Sequence, residues 1–282
     1  MPYRFVRLSR PDVTPLQVWD LRLPDGNPLW SALGASHLRQ AQAMGQTPHE
    51  IANALAQRVF RAVECIHETF GIQQVPTYLR QGFKSVCVYG GLALLPFFRE
   101  ALVHQRKQFG WHFHVSKQGR DYAAYAKRAI FGKDCTMHVC DVGQTSLKLY
   151  TPQNTRVICT RDPVLVPYGA CPDKASLTAQ FVGSALAELL LTARPGAPLL
   201  LALPCPIDSS FRFGANTYGF EGQGLPFVTE ILRIAKAAPN TTVYLANDAE
   251  LAAECAREET LTLGNTLALT LGHGPGAAIL HG

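Results

Sequence analysis

Three short segments carry the residue types that phosphate chemistry needs. Asp141-Val142-Gly143-Gln144-Thr145 lies between two strand-like runs, so its glycine and threonine belong to a tight hairpin. Such a turn points backbone N–H groups and a hydroxyl at a phosphate, and the aspartate suits a hydrated Mg²⁺. Leu271-Gly272-His273-Gly274-Pro275-Gly276 is a second strand–glycine turn–strand segment. Tyr89-Gly90-Gly91 ends an apolar strand just ahead of a predicted helix. There the glycines permit close approach of a nucleotide, and the helix start favours anions. A fourth segment, Asn247-Asp248, follows a strand and opens a helix, which places a carboxylate where the helix dipole stabilises it. By position alone the pair is a helix N-cap, which Asn and Asp both favour.

Other chemistry is less supported. Eight cysteines (65, 87, 135, 140, 159, 171, 205 and 255) form no C-x-x-C pair, and most sit inside apolar runs such as Val86-Cys87-Val88. They are expected to be free buried thiols in a reducing compartment, with no zinc site. His112 and His114 share one face of a strand, but no third ligand is near them in sequence.

The elements that must position these groups alternate between strand and helix. Tyr3 to Leu8 alternates as a short strand, and Pro24-Asp25-Gly26-Asn27-Pro28 is a turn. Residues 31–46 and 48–70 read as helices. In the second, Ile51, Leu55, Val59, Val63 and Ile66 recur at helical spacing behind Thr47-Pro48. A buried strand at 85–89, a helix to about residue 108 and a helix over 119–131 follow. From 136 the texture becomes strands (136–150, 155–168), then an amphipathic helix at 174–193 and a buried strand at 198–204. A glycine-rich loop spans 209–224, followed by a helix at 225–237, a strand at 241–246, the helix opened by Asn247-Asp248, and two strands within 260–282. This alternation predicts an α/β protein.

Composition sets the outer bounds. The 282 residues are 47% hydrophobic and 17% charged, which excludes a disordered chain. The net charge of +5 comes without a Lys/Arg block, so a strong binder of nucleic-acid backbone is not expected. No apolar run reaches the ~18–20 residues of a membrane span. The first ten residues lack a secretory h-region, so a cytoplasmic protein is expected.

In their order and approximate spacing, these segments resemble the phosphate-1, phosphate-2 and adenosine motifs of the actin/Hsp70/sugar-kinase superfamily, most closely the ROK family of sugar kinases and sugar-responsive repressors. That family's pattern runs D-x-G-G-T, a V-P-G-P-V-D strand end, an N-L-P-G-W-like loop, N-D-A on a helix, and L-G-T-G-I-G-G. Here Asp141-Val142-Gly143-Gln144-Thr145, Leu203-Pro204-Cys205-Pro206-Ile207-Asp208, Asn216-Thr217-Tyr218-Gly219-Phe220, Asn247-Asp248-Ala249 and Leu271-Gly272-His273-Gly274-Pro275-Gly276 follow that order across residues 136–282. The rest of the family's length resembles the front of this chain. Residues 29–36 resemble the stretch after the family's zinc motif, residues 48–108 its adenosine-motif region, and Gly119 to Ala126 the start of its last helix. The chain therefore resembles a circular permutation joined through Phe131 to Asp134.

The resemblance implies two actin-like ATPase (ribonuclease H-like) domains around a cleft. One is residues 132–260 with helix 119–131 packed on it; the other combines 261–282 with 1–118. It implies an ATP- and Mg²⁺-dependent kinase acting on a hydroxyl of a sugar or polyol, with Asp248 as the base. Asn216, Asn247 and Asp248 would bind the substrate. Asp141, Gly143, Gln144, Thr145, Gly272, His273, Gly274, Gly90 and Gly91 would bind the nucleotide, with Asp141 holding Mg²⁺ through water. The expected partners are ATP and a small hydroxylated molecule, with no nucleic acid and no membrane; a homodimer is the assembly the resemblance allows. The chain departs from the pattern at Gln144 (a glycine in the family), His273 (a threonine) and Ala277-Ala278 (glycines), and it has neither E-x-G-H nor C-x-C-G-x-x-G-C. These departures favour a second reading, a catalytically degenerate nucleotide- or ligand-binding protein with a regulatory role. No helix-turn-helix segment precedes the kinase-like part, which weakens a repressor.

Overall fold

The computed structural model describes residues 2–19, 21–72, 82–105, 110–143, 145–153, 156–160, 173–214, 219–259 and 264–282. In chain order the strands are β1 (Arg4–Arg7), β2 (Val13–Leu16), β3 (Ser85–Tyr89), β4 (His112–Val115), β5 (His138–Val142), β6 (Ser146–Tyr150), β7 (Arg156–Thr160), β8 (Leu199–Leu203), β9 (Thr242–Asn247), β10 (Thr266–Leu271) and β11 (Pro275–Leu280). The helices are α1 (Leu29–Ala32), α2 (Ala35–Ala43), α3 (Pro48–Ile72), α4 (Phe98–Gln105), α5 (Tyr122–Phe131), α6 (Lys174–Leu190), α7 (Leu225–Ile234) and α8 (Asp248–Glu259). The chain is an α/β protein with two mixed sheets and divides into two units, Met1–Ser9 with Ala123–Leu251 and Arg10–Tyr122 with Ala252–Gly282. Among the described residues no helix is long and apolar enough to cross a membrane.

The first unit is built on a sheet of order β1-β9-β8-β5-β6-β7. Its central strands β5 and β8 are buried on both faces, which is why β8 reads as an unbroken apolar run and β5 does not alternate, its polar residues His138 and Asp141 being buried too. Parallel pairing joins β5, β8, β9 and β1, and antiparallel pairing adds β6 and β7. Helices α6 and α7 close one core with Val182, Leu186, Val228 and Leu232. The second unit has order β2-β11-β10-β3-β4, with β10–β3 and β3–β4 parallel and β10–β11 and β11–β2 antiparallel. Helix α3 packs the predicted stripe Ile51, Leu55, Val59, Val63 and Ile66 into this core. It starts in a capping box: Thr47 N–H donates to Glu50 Oε2 (2.7 Å) and Glu50 N–H donates to Thr47 Oγ1 (3.3 Å).

The two sheets share a plan. Each has a hairpin (β5–β6; β10–β11), a third antiparallel strand beside its second member (β7; β2), and two parallel strands beside its first (β8, β9; β3, β4). In the first sheet these five strands follow one another along the chain. In the second, the hairpin ends the chain and the other three strands come from its front.

Several elements differ from the expectations above. Residues 1–9 belong with the first unit and not with 10–118, because β1 ladders onto β9 from Arg4↔Thr242 to Arg7↔Leu245. The last residues of α8, from Ala252, group with the second unit rather than ending the first. There Glu259 accepts bonds from Tyr89 Oη (2.9 Å) and Ser116 Oγ (2.8 Å), with His114 Nε2 3.7 Å away. The single helix expected at 31–46 is two, broken at Gly34, whose extended ψ of 156° interrupts it. After Gly90-Gly91 comes a short 3₁₀ turn at Leu92–Leu94, and α4 begins only at Phe98, so those glycines do not sit at an α-helix N-terminus. Strand β2 escaped the sequence pattern because it contains Pro15, which a sheet accommodates at its edge. Cys171 and the whole of 161–168 lie outside the described residues.

Gly90 is required by the sheet itself. Its φ is +97°, and a Cβ there would lie 2.1 Å from the carbonyl oxygen of Leu271 on the neighbouring strand. Gly91 has open space around it and an ordinary helical φ of −66°. Gly90→Ala is therefore expected to destabilise the protein by about 2–4 kcal/mol, and Gly91→Ala to change stability by less than about 1 kcal/mol, as urea unfolding curves would read.

Candidate functional site

In the first unit the site forms where strands end. Asp141 is the fourth residue of β5 and is 1% exposed, the acidic exception in an otherwise apolar buried strand. The antiparallel register places Lys148 of β6 directly opposite, and its Nζ donates to Asp141 Oδ2 at 2.5 Å. Lys148 itself is mostly buried, flanked by buried Leu147 and Leu149 on the other face of β6. Sequence reasoning passed over Lys148. A period-two count back from the Gly143 turn, which sets it across from Asp141, could have found it. Gly143 closes the turn: a Cβ there would lie 2.7 Å from Ser146 O and 3.5 Å from the Lys148 Nζ. Thr145 is exposed in the same turn, and Gln144 lies outside the described residues, as does Asn216.

At the end of β9 the chain turns into α8, and the cap answers the question the sequence left open. Asn247 Oδ1 accepts the N–H of Ala249 (3.0 Å), and Glu250 Oε2 accepts the N–H of Asn247 (3.0 Å), the reciprocal pattern of a capping box. Asn247 is thus the cap and Asp248 the first helical residue. Asn247 also donates from Nδ2 to Leu203 O (3.4 Å), so one amide N–H at most remains for a ligand. The substrate-hydroxyl role that the resemblance implies for Asn247 is largely taken up by the fold's own hydrogen bonds.

Asp248 is left to do something else. Burial pushes its carboxyl from the usual 3.8 up to about 7, and the Asp141 and Glu250 charges push the same way. The Ala249 N–H, which also donates to Asp248 Oδ1 at 2.8 Å, and the Lys148 ammonium pull against them. The Lys148 ammonium is paired with Asp141, and the charges of both act on Asp248. Cys205, in the strand-end segment after β8, is buried, and burial holds its thiol well above the ordinary value, with Asp248 adding to the shift. It is a neutral packing group.

The second unit carries the other turns. Gly272 O accepts the Ala35 N–H (3.2 Å), and Thr270 Oγ1 takes the Gly276 N–H (3.0 Å), which closes the β10–β11 hairpin. Gly274 lies against Trp19, where a Cβ would come within 2.5 Å of the indole, and Trp19 stacks on Trp30 at 5.8 Å. Burial lowers the proton affinity of His273, and the Arg39 charge adds to this. A cavity of about 320 Å³ opens between α2, α3 and the 3₁₀ turn, lined by Gly34, Leu38, Ile51, Leu55, Leu92 and Leu95. A neighbouring cavity of about 280 Å³ shares His37 and Arg58 with it and adds Asp25 and Arg61, so the apolar space has a cationic border.

Among the described residues no three His, Cys, Asp or Glu side chains gather as a metal cluster. The described cysteines 65, 87, 135, 140, 159, 205 and 255 are free thiols.

No family model matches the chain, and no curated protein matches it. Among solved structures it is distantly similar to a ROK family protein from Streptococcus pneumoniae TIGR4, crystallised in complex with sucrose, with a TM-score of 0.30 and 18% identity. The likeness covers 52% of this chain and 46% of that one, so the chain spans about half the length of the protein it matches.

The raised Asp248 pKa makes a signed prediction. The folded protein binds this proton more tightly than the unfolded chain, so the stability it contributes is complete below about pH 4 and is lost as the pH rises through about 7. Asp248→Asn cannot ionise. It is expected to be more stable than the parent by ~2–4 kcal/mol at pH 8, the figure reduced by the partial exposure of the side chain, and equal to it near pH 4. Paired urea titrations across that range would read the crossover. A constant difference at every pH would show that Asp248 is ionised throughout.

Proposed function

We propose that the protein is an ATP- and Mg²⁺-dependent small-molecule kinase of the actin-like, ROK-related type that phosphorylates a hydroxyl of a sugar or polyol. The observation that carries this reading is Asp248: a carboxylate with a pKa of about 7, released from capping by Asn247 and set beside the Asp141–Lys148 pair. A base poised near the working pH is what hydroxyl activation needs. The common plan of the two sheets supports an actin-like, circularly permuted fold. The second sheet's five strands run in the first sheet's order when the chain is read on from β11 into β2.

In this reading the Asp248 carboxylate takes the proton from the substrate hydroxyl as its oxygen attacks the γ-phosphorus. The bond from phosphorus to the β–γ bridging oxygen breaks, and ADP leaves. Lys148 neutralises charge on the phosphoryl group, and the N–H groups of the Gly143 turn orient it. A hard carboxylate oxygen at Asp141 fits Mg²⁺, which typically takes one or two carboxylates with water and substrate phosphates and would supply further neutralisation when bound. Within the second unit, the cavity beside Leu92 and Leu95, with Arg58 in its lining, is the candidate nucleoside pocket.

A second reading, a nucleotide- or ligand-binding protein without turnover, is favoured by the Asp141–Lys148 bond itself. It gives one carboxylate oxygen to an ammonium where the kinase reading gives it to hydrated Mg²⁺.

Two measurements test the proposal. Saturating Mg·ATP or Mg·ADP, at about 100 times its dissociation constant, should stabilise the protein by about 2.7 kcal/mol, and Ala54→Phe, which fills the cavity from α3, should abolish that gain without unfolding the protein. In an ATP-consumption screen over sugars and polyols, turnover should rise with pH around a midpoint near 7, and Asp248→Asn should lower it by roughly 10²–10⁴ while still binding nucleotide. Nucleotide binding without turnover on any hydroxyl would select the second reading; no nucleotide binding would remove both.

A further inference from the structure

We infer that the two adjoining cavities of the second unit form one site, and that it takes a nucleoside bearing a phosphate monoester, the phosphate held by Arg58 and Arg61. That choice of ligand rests on reading the apolar cavity as a nucleoside pocket, and adds what else the nucleoside carries. The cavities, of about 320 and about 280 Å³, share four lining residues: Ala32, His37, Ala54 and Arg58. Ala32 and Ala54 each bring only a methyl group to the shared wall, which leaves the passage to His37 and Arg58. Each cavity alone lies near the floor of the ~300–1,000 Å³ range typical of small-molecule pockets, and the pair lies inside it.

Along α3 the lining changes from apolar to cationic. Ile51 and Leu55 line the first cavity, Ala54 and Arg58 both, and Arg61 the second, over about 15 Å of helix. Spacings of three and four put these residues on one face. Among the described residues Arg58, half-buried, donates one long bond, from Nη1 to Ala32 O (3.5 Å), which leaves most of its five N–H donors for a ligand. Burial lowers the proton affinity of His37, and the Arg58 charge adds to this, so His37 is a neutral ring with one N–H to donate. Asp25 is the one carboxylate among the described lining residues. Its Oδ1 accepts the Asn27 N–H (3.0 Å), and that bond, with the Arg61 charge adding to it, holds its carboxyl below the usual carboxylate range. One carboxylate against two guanidiniums leaves the second cavity cationic, and a guanidinium fork matches phosphate oxygens two at a time. A ligand that fills both cavities needs a largely apolar body with one anionic group at its end, which a nucleoside monophosphate supplies.

Calorimetric titration of the full-length protein, without Mg²⁺, compares adenosine, its 5′-, 3′- and 2′-monophosphates and inorganic phosphate. At least one monophosphate should bind about tenfold or more tighter than adenosine, and which one it is tells a 5′-phosphate from a phosphate on a ribose hydroxyl. Arg58→Gln and Arg61→Gln should each bring that monophosphate to within about threefold of adenosine, while the affinity for adenosine itself changes by less than about threefold. Asp25→Asn removes the carboxylate that competes for Arg61, so it should tighten the same monophosphate by about two- to fivefold. Arg61 is exposed, so Arg61→Gln reads the site even where Arg58→Gln does not fold. Equal affinity for adenosine and all three monophosphates, or a preference that survives in either arginine variant, would overturn the inference and leave the nucleoside pocket standing. So would inorganic phosphate binding as tightly as the best monophosphate. No binding of adenosine or any monophosphate would remove the nucleoside pocket and this inference with it.

Discussion

The Glu250 carboxylate is where the first unit's architecture converges. It accepts the Asn247 N–H and both bonds of the Arg7 fork, so the end of β9, the cap of α8 and the outermost strand β1 are set by one side chain. Buried ion pairs of this kind add little net stability, but losing one partner typically costs about 3–5 kcal/mol, because the other is then left desolvated and unpaired. Such a pair specifies one arrangement, because the alternatives leave a charge stranded. With Asn247 and Glu250 capping the helix start, Asp248 is not the cap, and its Oδ1 shares the Ala249 N–H with Asn247.

The second acidic feature, Asp141, shows the same economy in a strand. An aspartate inside a five-residue run buried on both faces needs a partner, and the antiparallel register supplies Lys148 across the ladder. Both carboxylates of the candidate site are therefore held by elements whose main work is folding. Their chemistry follows from where sheet order and hairpin register leave them, at the ends of β5 and β9, the two strands that flank β8.

In the second unit, glycines that read as nucleotide contacts have structural causes of their own. Gly90 passes the Leu271 backbone too closely for any side chain, and Gly274 gives way to the Trp19 indole. Neither cause argues against phosphate binding, since a turn tight enough to need glycine is also one that exposes N–H groups. It does mean that the motif spelling alone could not separate the two explanations. The apolar cavity between α2, α3 and the 3₁₀ turn was invisible in the sequence for a different reason: a cavity is the failure of Leu38, Ile51, Leu55, Leu92 and Leu95 to fill a space, and no residue type encodes that.

Period and punctuation made most elements legible in the chain. The 3.6-residue stripe of α3 behind Thr47, the apolar-rich runs of β3, β8 and β10, and the paired Gly turns all reflect local backbone preferences that neighbours a few residues away decide. What local preference cannot carry is long-range pairing. That Tyr3 to Leu8 would ladder with β9, that Pro15 would sit on an edge strand, that Lys148 would meet Asp141 and that Arg7 would reach Glu250 across 243 positions depend on sheet order and register. Desolvation depends on them too, and it is burial that turns Asp248 from an ordinary helix-start aspartate into a carboxyl that titrates near neutrality.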